Sequence, residues 1–386
     1  MKALATRYTL LIPLLAFLLS RLWVAAFVYL GHCQNPYLKP IPGGWEGVPN
    51  WWLNPWTTYD SKHFLDIALH GYTTQTAPFF PFYSLLLRLA GNDPITLTVW
   101  GIVLSNLAFL AALFLLFRLT QSQYDLRTAR IVTWLTAFFP AVPYFSAVYT
   151  ESVFFLCFIA ALWGMQQKKW FFAACWGFLA AFTRSAGLLL FAGFLIQYGY
   201  EFFQAKRLRE EKLALPSVPQ ILAITAPLIG LMAAQLIITR QVGDATQSVT
   251  SHQEYYRALT WPWLPILLDF WDLITERTFI FVTLLNLGTT ILALVLFWKY
   301  RKRQPISYSV MLLGLMLMQL TYSHYSIPRT QTSLRLLATS VPFLQPLSLE
   351  IARFSWPPLR RFLVILIYLC LTALSAYLFG EKQFLG

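Results

Sequence analysis

The chain has 386 residues, of which 58% are hydrophobic and only 12% charged, with 32 Phe, 19 Tyr and 15 Trp. Soluble domains carry about twice that share of charge, so a water-soluble globular enzyme is excluded, and apolar runs that are continuous rather than alternating argue against a β-barrel. The formal net charge of +13 does not point to nucleic acid, because the basic residues are dispersed among short loops between apolar runs and form no stripe or basic domain.

The class that remains is an all-α polytopic membrane protein with about 11 transmembrane helices in one integral-membrane domain, residues 1–386. The stretch MKALATRYTLLIPLLAFLLSRLWVAAFVYL is too long for a signal peptide and carries Arg21, so it reads as a retained first span over about 8–30, with Lys2 and Arg7 inside. A large, Trp- and Pro-rich first outer loop follows over 31–93, carrying amphipathic interfacial helices. Further spans are expected at about 94–117, 130–148 and 152–167. The apolar segment 170–203 is too long for one helix, and it reads as a tight hairpin with Arg184 at its outer turn. A span at about 219–239 leads to a second outer loop, 240–276, which holds Asp244, His252, Glu254, Asp269, Asp272 and Glu276. The remaining spans fall at about 277–298, 306–322, 333–349 and 362–380. In this topology most Lys and Arg residues lie inside and most acidic residues outside, as the positive-inside rule asks.

Polar chemistry collects on the outer face. In TTYDSKHFLDIALHGY (57–72), Asp60 and His63 share one helical face, and Phe64, Leu65, Ile67, Ala68 and Leu69 make an apolar side suited to the bilayer interface. Asp60 reads as a helix cap or as a catalytic carboxylate. Asp66 and His70, at i, i+4, read as a solvated pair.

In FFPAVPYFSAVYTESVFF (138–155), Pro140 and Pro143 must break the helix, and Glu151 follows at the membrane edge as a cap or a site residue. Arg184 has uncharged neighbours on both sides over 171–197. It suits an anion-binding site, or an ion pair with Glu151 or Asp60. Arg335, next to Arg329 and the TQTS segment, could meet a lipid-linked phosphate at the bilayer surface or snorkel there. The four cysteines (Cys33, Cys157, Cys175, Cys370) and the His/Asp spacing supply no metal-ligand pattern, so no cofactor is expected and a divalent metal has no support from spacing.

An outward carboxylate can take a proton from a hydroxyl nucleophile, and arginines can hold a phosphate leaving group. Transfer of a sugar from a polyprenyl-phosphate donor to an acceptor hydroxyl requires that combination. No Gly-rich loop of the GxxxxGK[ST] type offers a cradle for a nucleotide donor. The alternative is a multi-pass lipid or solute transporter or flippase without covalent chemistry, although no inverted repeat is visible. A non-catalytic subunit of a glycosylation complex is a third reading.

Four stretches resemble the PIG-V family, the GPI mannosyltransferase II-like proteins of the GT-C membrane glycosyltransferase superfamily. YDSKHFLDIALHGY…APFFPF (59–82) is similar to the family's W-D-x-x-H-[FY]-L-x-I-A-x-x-G-Y followed by A-[FP]-F-P-L. FFPAVPYFSAVYTESVFF is similar to N-P-A-S-I-F-F-S-A-x-Y-[ST]-E-S, TRSAGLL to R-S-N-G-L-L, and SLRLLATSVPFL to S-x-x-R-Y-x-L-x-x-F-P-L-F. The chain departs from the family at Tyr59 (Trp), Phe139 (Asn) and Ala186 (Asn), and lacks the acidic residue usual near Gln75.

The resemblance implies a GT-C bundle in which Asp60, in the first outer loop, is the general base of an inverting transfer, with mannose as the sugar by analogy. Glu151 would share the catalytic site, and Arg184, Arg335 and His63 would bind the substrate or the donor phosphate. The implied partners are a polyprenyl-phosphate-linked sugar donor, a lipid- or glycan-type acceptor and membrane lipids, with no nucleic acid. Short loops and compact length suggest a bacterial plasma membrane with the site facing out.

Overall fold

The computed structural model describes residues 2–34, 50–207, 216–250, 257–275, 279–324, 328–354 and 357–383. Residues 35–49 of the first outer loop, and His252, Glu254 and Glu276 of the second, lie outside the described residues. The chain forms two compact units, one of Met1–Gly71, Tyr83–Leu156 and Leu347–Gly386, the other of Tyr72–Phe82 and Cys157–Pro346.

The first unit is built on α1 (Lys2–Gln34), α2 (Asp60–His70), α3 (Pro81–Arg88, which begins in the other unit), α4 (Pro94–Gln123) and α5 (Leu126–Ala137). Asp93 and Asp125 start α4 and α5 by accepting the backbone N–H of Thr96 and Thr128, both at 2.8 Å. The third expected span is cut short. The helix stops at Ala137, and residues 138–150 run as buried turns with a 3₁₀ segment at Val142–Phe145. Pro140 and Pro143 are the reason, since each lacks an N–H and disfavours helix in the residue before it.

Arg21 of α1 reaches into this segment, with its guanidinium 2.6 Å from the Ser146 hydroxyl and 4.6 Å above the Phe109 ring, so an intramembrane charge finds a donor–acceptor partner and an aromatic face. The α1 helix packs against α16 (Pro358–Gly380). A Cβ on Gly31 would lie 2.0 Å from the Tyr377 carbonyl oxygen, and one on Gly380 2.0 Å from that of Val28, so only glycine lets these backbones touch.

In chain order the fold continues with α6 (Glu151–Gln166), α7 (Trp170–Thr183), α8 (Leu189–Arg207), α9 (Val218–Val242) and a short α10 (Gln247–Thr250). It ends with α11 (Leu264–Thr275), α12 (Ile280–Tyr300), α13 (Ile306–Thr321), α14 (Ser333–Ala338) and α15 (Val341–Arg353), the last running into the first unit. The segment 170–203 is two helices broken at Arg184, as its length demanded. Within the second unit α7 packs along α9, and α8 against α13. A two-stranded ribbon pairs β1 (Arg257–Leu259) antiparallel with β2 (Tyr322–His324), Arg257 opposite His324.

Among the described residues six helices are long and apolar enough to cross a membrane, within Leu11–Gln34, Pro94–Gln123, Ser185–Arg207, Val218–Val242, Ile280–Tyr300 and Pro358–Gly380. Three shorter apolar helices, Glu151–Gln166, Trp170–Thr183 and Ile306–Thr321, accompany them. The expected span at 333–349 is divided into α14 and α15 at Thr339 and Ser340.

Candidate active site

Within the first unit the Asp60 turn and the Glu151 turn are joined by one side chain. Tyr149, fully buried, donates its hydroxyl to the Thr58 carbonyl at 3.0 Å and accepts the Asp60 N–H at 3.2 Å. A second strand of the same junction is the Val148 N–H donated to the Trp56 carbonyl at 3.1 Å. Asp60 is the first residue of α2, and Tyr59 occupies the cap position without a side-chain cap bond. The Tyr149 hydroxyl therefore meets one of the N–H groups that a helix start leaves without an intrahelical partner. Asp60 itself stands one position past the cap, where the positive helix end favours a carboxylate.

Tyr59 holds φ 55° and ψ −117°, a conformation that costs a non-glycine residue about 1–3 kcal/mol and concentrates at functional sites. Its hydroxyl is anchored on the Lys382 carbonyl, so the ring that replaces the family's Trp fixes the turn from the C-terminal side.

The α2 helix buries the apolar side read from the sequence. Phe64, Leu65, Ile67 and Ala68 are all buried, the Phe64 ring lies edge-on to Tyr83 at 5.5 Å, and Ser84 donates to the Phe64 carbonyl at 3.0 Å. Protein, rather than a bilayer surface, covers this face. His63 is half-buried one turn from Asp60; burial pulls its pKa below the usual 6.5, against the opposing field of Asp60. Asp66 and His70 are exposed and 3.6 Å apart, a solvated pair.

Glu151 is 0% exposed and opens α6, again at the first helical position. Burial pushes the Tyr83 hydroxyl well above its ordinary pKa, and the Glu151 charge adds to that shift. The next residue, Ser152, donates to the Phe145 carbonyl at 2.8 Å.

The two arginines belong to the second unit, on separate elements. Arg184 is half-buried in extended backbone (φ −154°, ψ 147°) where α7 ends and a 3₁₀ turn, Ser185–Leu188, begins. The turn folds back on α7, and a Cβ on Gly187 would sit 2.3 Å from the Ala181 nitrogen. Arg335 is 5% exposed within α14, so it does not snorkel to water. The start of α14 is pinned by the Leu334 N–H donated to Asn286 Oδ1 (3.1 Å) and by contact of the Ser333 and Thr290 hydroxyls (2.6 Å). The preceding turn is held by Asp269, which accepts the N–H groups of Arg329 (2.6 Å) and Thr330 (2.9 Å), while Asp272 lies 3.4 Å from the Arg329 guanidinium.

Sequence reasoning missed Tyr149 altogether and left Asp269 and Asp272 as loop acids. The second omission had a signal: two carboxylates three apart within the apolar run LPILLDFWDLIT share a helical face. The first had none, because a Tyr in an aromatic-rich run looks like core. Among the described residues no group of three or more His, Cys, Asp or Glu is placed to hold a metal.

The family model of mannosyltransferases (PIG-V) matches residues 2–238. A search of curated proteins found no match. Among solved structures the chain is similar to ArnT from Cupriavidus metallidurans, crystallised with undecaprenyl phosphate, at 10% identity and a TM-score of 0.50 over 94% of this chain and 76% of that one. It also matches the oligosaccharyltransferase of Archaeoglobus fulgidus in its apo form, at 11% identity and a TM-score of 0.46, over 97% of this chain and 56% of that one. The AglB complex from the same organism, with an inhibitory peptide and a dolichol-phosphate, gives 12% identity and a TM-score of 0.41 over 94% and 56%. With a helical membrane bundle and a family match over more than half its length, the chain belongs to the PIG-V mannosyltransferase family and has the fold of the GT-C membrane glycosyltransferases.

Proposed function

We propose that the protein transfers a sugar, mannose by family, from a polyprenyl-phosphate donor to a hydroxyl of a lipid- or glycan-type acceptor on the outer face of a bacterial plasma membrane. Asp60 removes the proton of the acceptor hydroxyl. The acceptor oxygen bonds to the anomeric carbon from the face opposite the phosphate, the anomeric carbon–oxygen bond to phosphate breaks, and the polyprenyl phosphate leaves with the electron pair. The product is inverted at that carbon. Donor-phosphate binding falls to Arg184 and Arg335, as an arginine fork suits a phosphate, substrate binding to His63, and the role of second catalytic carboxylate to Glu151. A donor of this class fits the undecaprenyl phosphate held by ArnT. The observation that carries the reading is the Tyr149 hydroxyl, which binds the backbone on either side of a strained Tyr59 and so fixes the Asp60 turn to the Glu151 turn. Asp60→Asn keeps the shape and removes the base. Membranes bearing it should lose transfer from a polyprenyl-phosphate mannose by roughly 100-fold or more, and wild-type turnover would remove Asp60 from the role.

A further inference from the structure

The α11 helix has its polarity reversed for a helix in water. Asp269 and Asp272, on one face with Pro265, are 0% and 6% exposed. Leu267, Phe270, Trp271 and Ile274, at the i, i+3, i+4, i+7 spacing of a single stripe, are all exposed, Trp271 by 62% and Ile274 by 76%. Water on that stripe would be doubly unfavourable, since carboxylates are costly to bury and a contiguous apolar patch is costly to wet.

Two neighbours say what covers the stripe. Just before α11, Trp261 and Trp263 are exposed and stacked at 5.1 Å, an aromatic pair of the kind that sits at headgroup level. Just after it in the chain, Phe279 and Ile280 are exposed where the spanning α12 begins, so exposed apolar residues flank α11 on both sides, the second set at the start of a span. On the inner face the carboxylates have firm work. Asp269 takes the N–H groups of Arg329 and Thr330, and the Thr330 carbonyl in turn accepts the Ser333 N–H that opens α14.

We infer that α11 lies in the bilayer interface with its apolar stripe on lipid, and that through Asp269 and Asp272 it anchors the turn leading into the Arg335-bearing α14 at the membrane surface. The partner is the lipid surface itself. Burial raises the Asp269 pKa while the donors from Arg329 and Thr330 lower it, in keeping with a carboxylate enclosed by protein. The anchor does not depend on the sugar-transfer reading: it would hold Arg335 at a fixed depth in a transporter as well.

The full chain in phosphatidylcholine–phosphatidylglycerol vesicles, carrying benzoylphenylalanine at Trp271 or Ile274, tests the seating by mass spectrometry of lipid adducts after irradiation. Val295, exposed on spanning α12, is the lipid-facing reference, and exposed Thr246 the aqueous one. Adduct yields at Trp271 and Ile274 should fall within about twofold of Val295 and well above Thr246. Yields at the Thr246 level, or crosslinks to a second copy of the chain instead of lipid, would overturn the inference. The anchoring is read by amide exchange at Arg329 and Thr330 in the double variant Trp271→Ser/Ile274→Ser. Exchange should quicken about tenfold, with α9 unchanged; unaltered exchange at both amides would show that the turn does not depend on the seated helix.

Discussion

Replacing Tyr149 with Phe removes one hydroxyl and no ring, and the structure sets the size of the effect. The lost oxygen makes two hydrogen bonds, at 3.0 and 3.2 Å; its loss takes the acceptor from the Asp60 N–H and leaves the carbonyl of buried Thr58 with the Ser61 N–H at 3.3 Å. Each such bond is worth about 1 kcal/mol, and a stranded buried group costs about 1–3 kcal/mol, so the turn loses about 2–4 kcal/mol of local support. That is comparable to the strain of Tyr59, about 1–3 kcal/mol, which the remaining Tyr59–Lys382 and Val148–Trp56 hydrogen bonds must then hold. Relaxation of Tyr59 moves the start of α2 and with it Asp60. A displacement of about 1 Å at a reacting group can cost about 100-fold in rate. In proteoliposomes with a polyprenyl-phosphate sugar donor, Tyr149→Phe should lower kcat by about 10–100-fold while donor KM changes by less than about threefold. Tyr368→Phe, which removes a hydroxyl donated to the Leu135 carbonyl at 2.7 Å, controls for loss of a buried hydrogen bond elsewhere. Equal kcat losses in the two variants, or wild-type kcat in Tyr149→Phe, would refute the positioning argument.

Three more outcomes are expected. Arg184→Lys and Arg335→Lys keep the charge but lose the planar fork, and each should raise donor KM by about tenfold with a smaller change in kcat; unchanged KM in both would take the phosphate away from these residues. His63 has a folded pKa below 6.5, so protons bind the unfolded chain more readily: stability is level above about 6.5 and falls as pH drops through that value. Thermal unfolding of His63→Gln from pH 7.5 to 5 should therefore show a shallower acid loss than wild type. Gly31→Leu drives a side chain into the Tyr377 carbonyl, where even a Cβ would lie at 2.0 Å, and should part α1 from α16 and abolish monodisperse elution in detergent.

Topology and chemistry were legible to different depths. The break at Arg184 could be counted from the length of 170–203, and the interruption near Pro140 followed from proline's missing N–H, yet the buried turns of 138–150 could not, because their geometry is set by Arg21, Asn106 and Trp56 from distant parts of the chain. The site residues divide in the same way. Asp60, His63 and Glu151 stood out as polar groups in an apolar chain. Tyr149, the side chain that joins two of their turns, looked like one more buried aromatic.

The sequence by itself determined that this is a helical membrane protein and where its backbone must break, since these depend on hydrophobic length and on proline. Which amphipathic helix meets lipid was decided by tertiary structure alone. The apolar sides of α2 and α11 are alike in pattern, but α2 turns its Phe64 and Leu65 into protein while α11 turns its carboxylates inward and its Trp271 out. Periodicity fixes which residues share a face; only the neighbours that pack against a helix fix which face is covered.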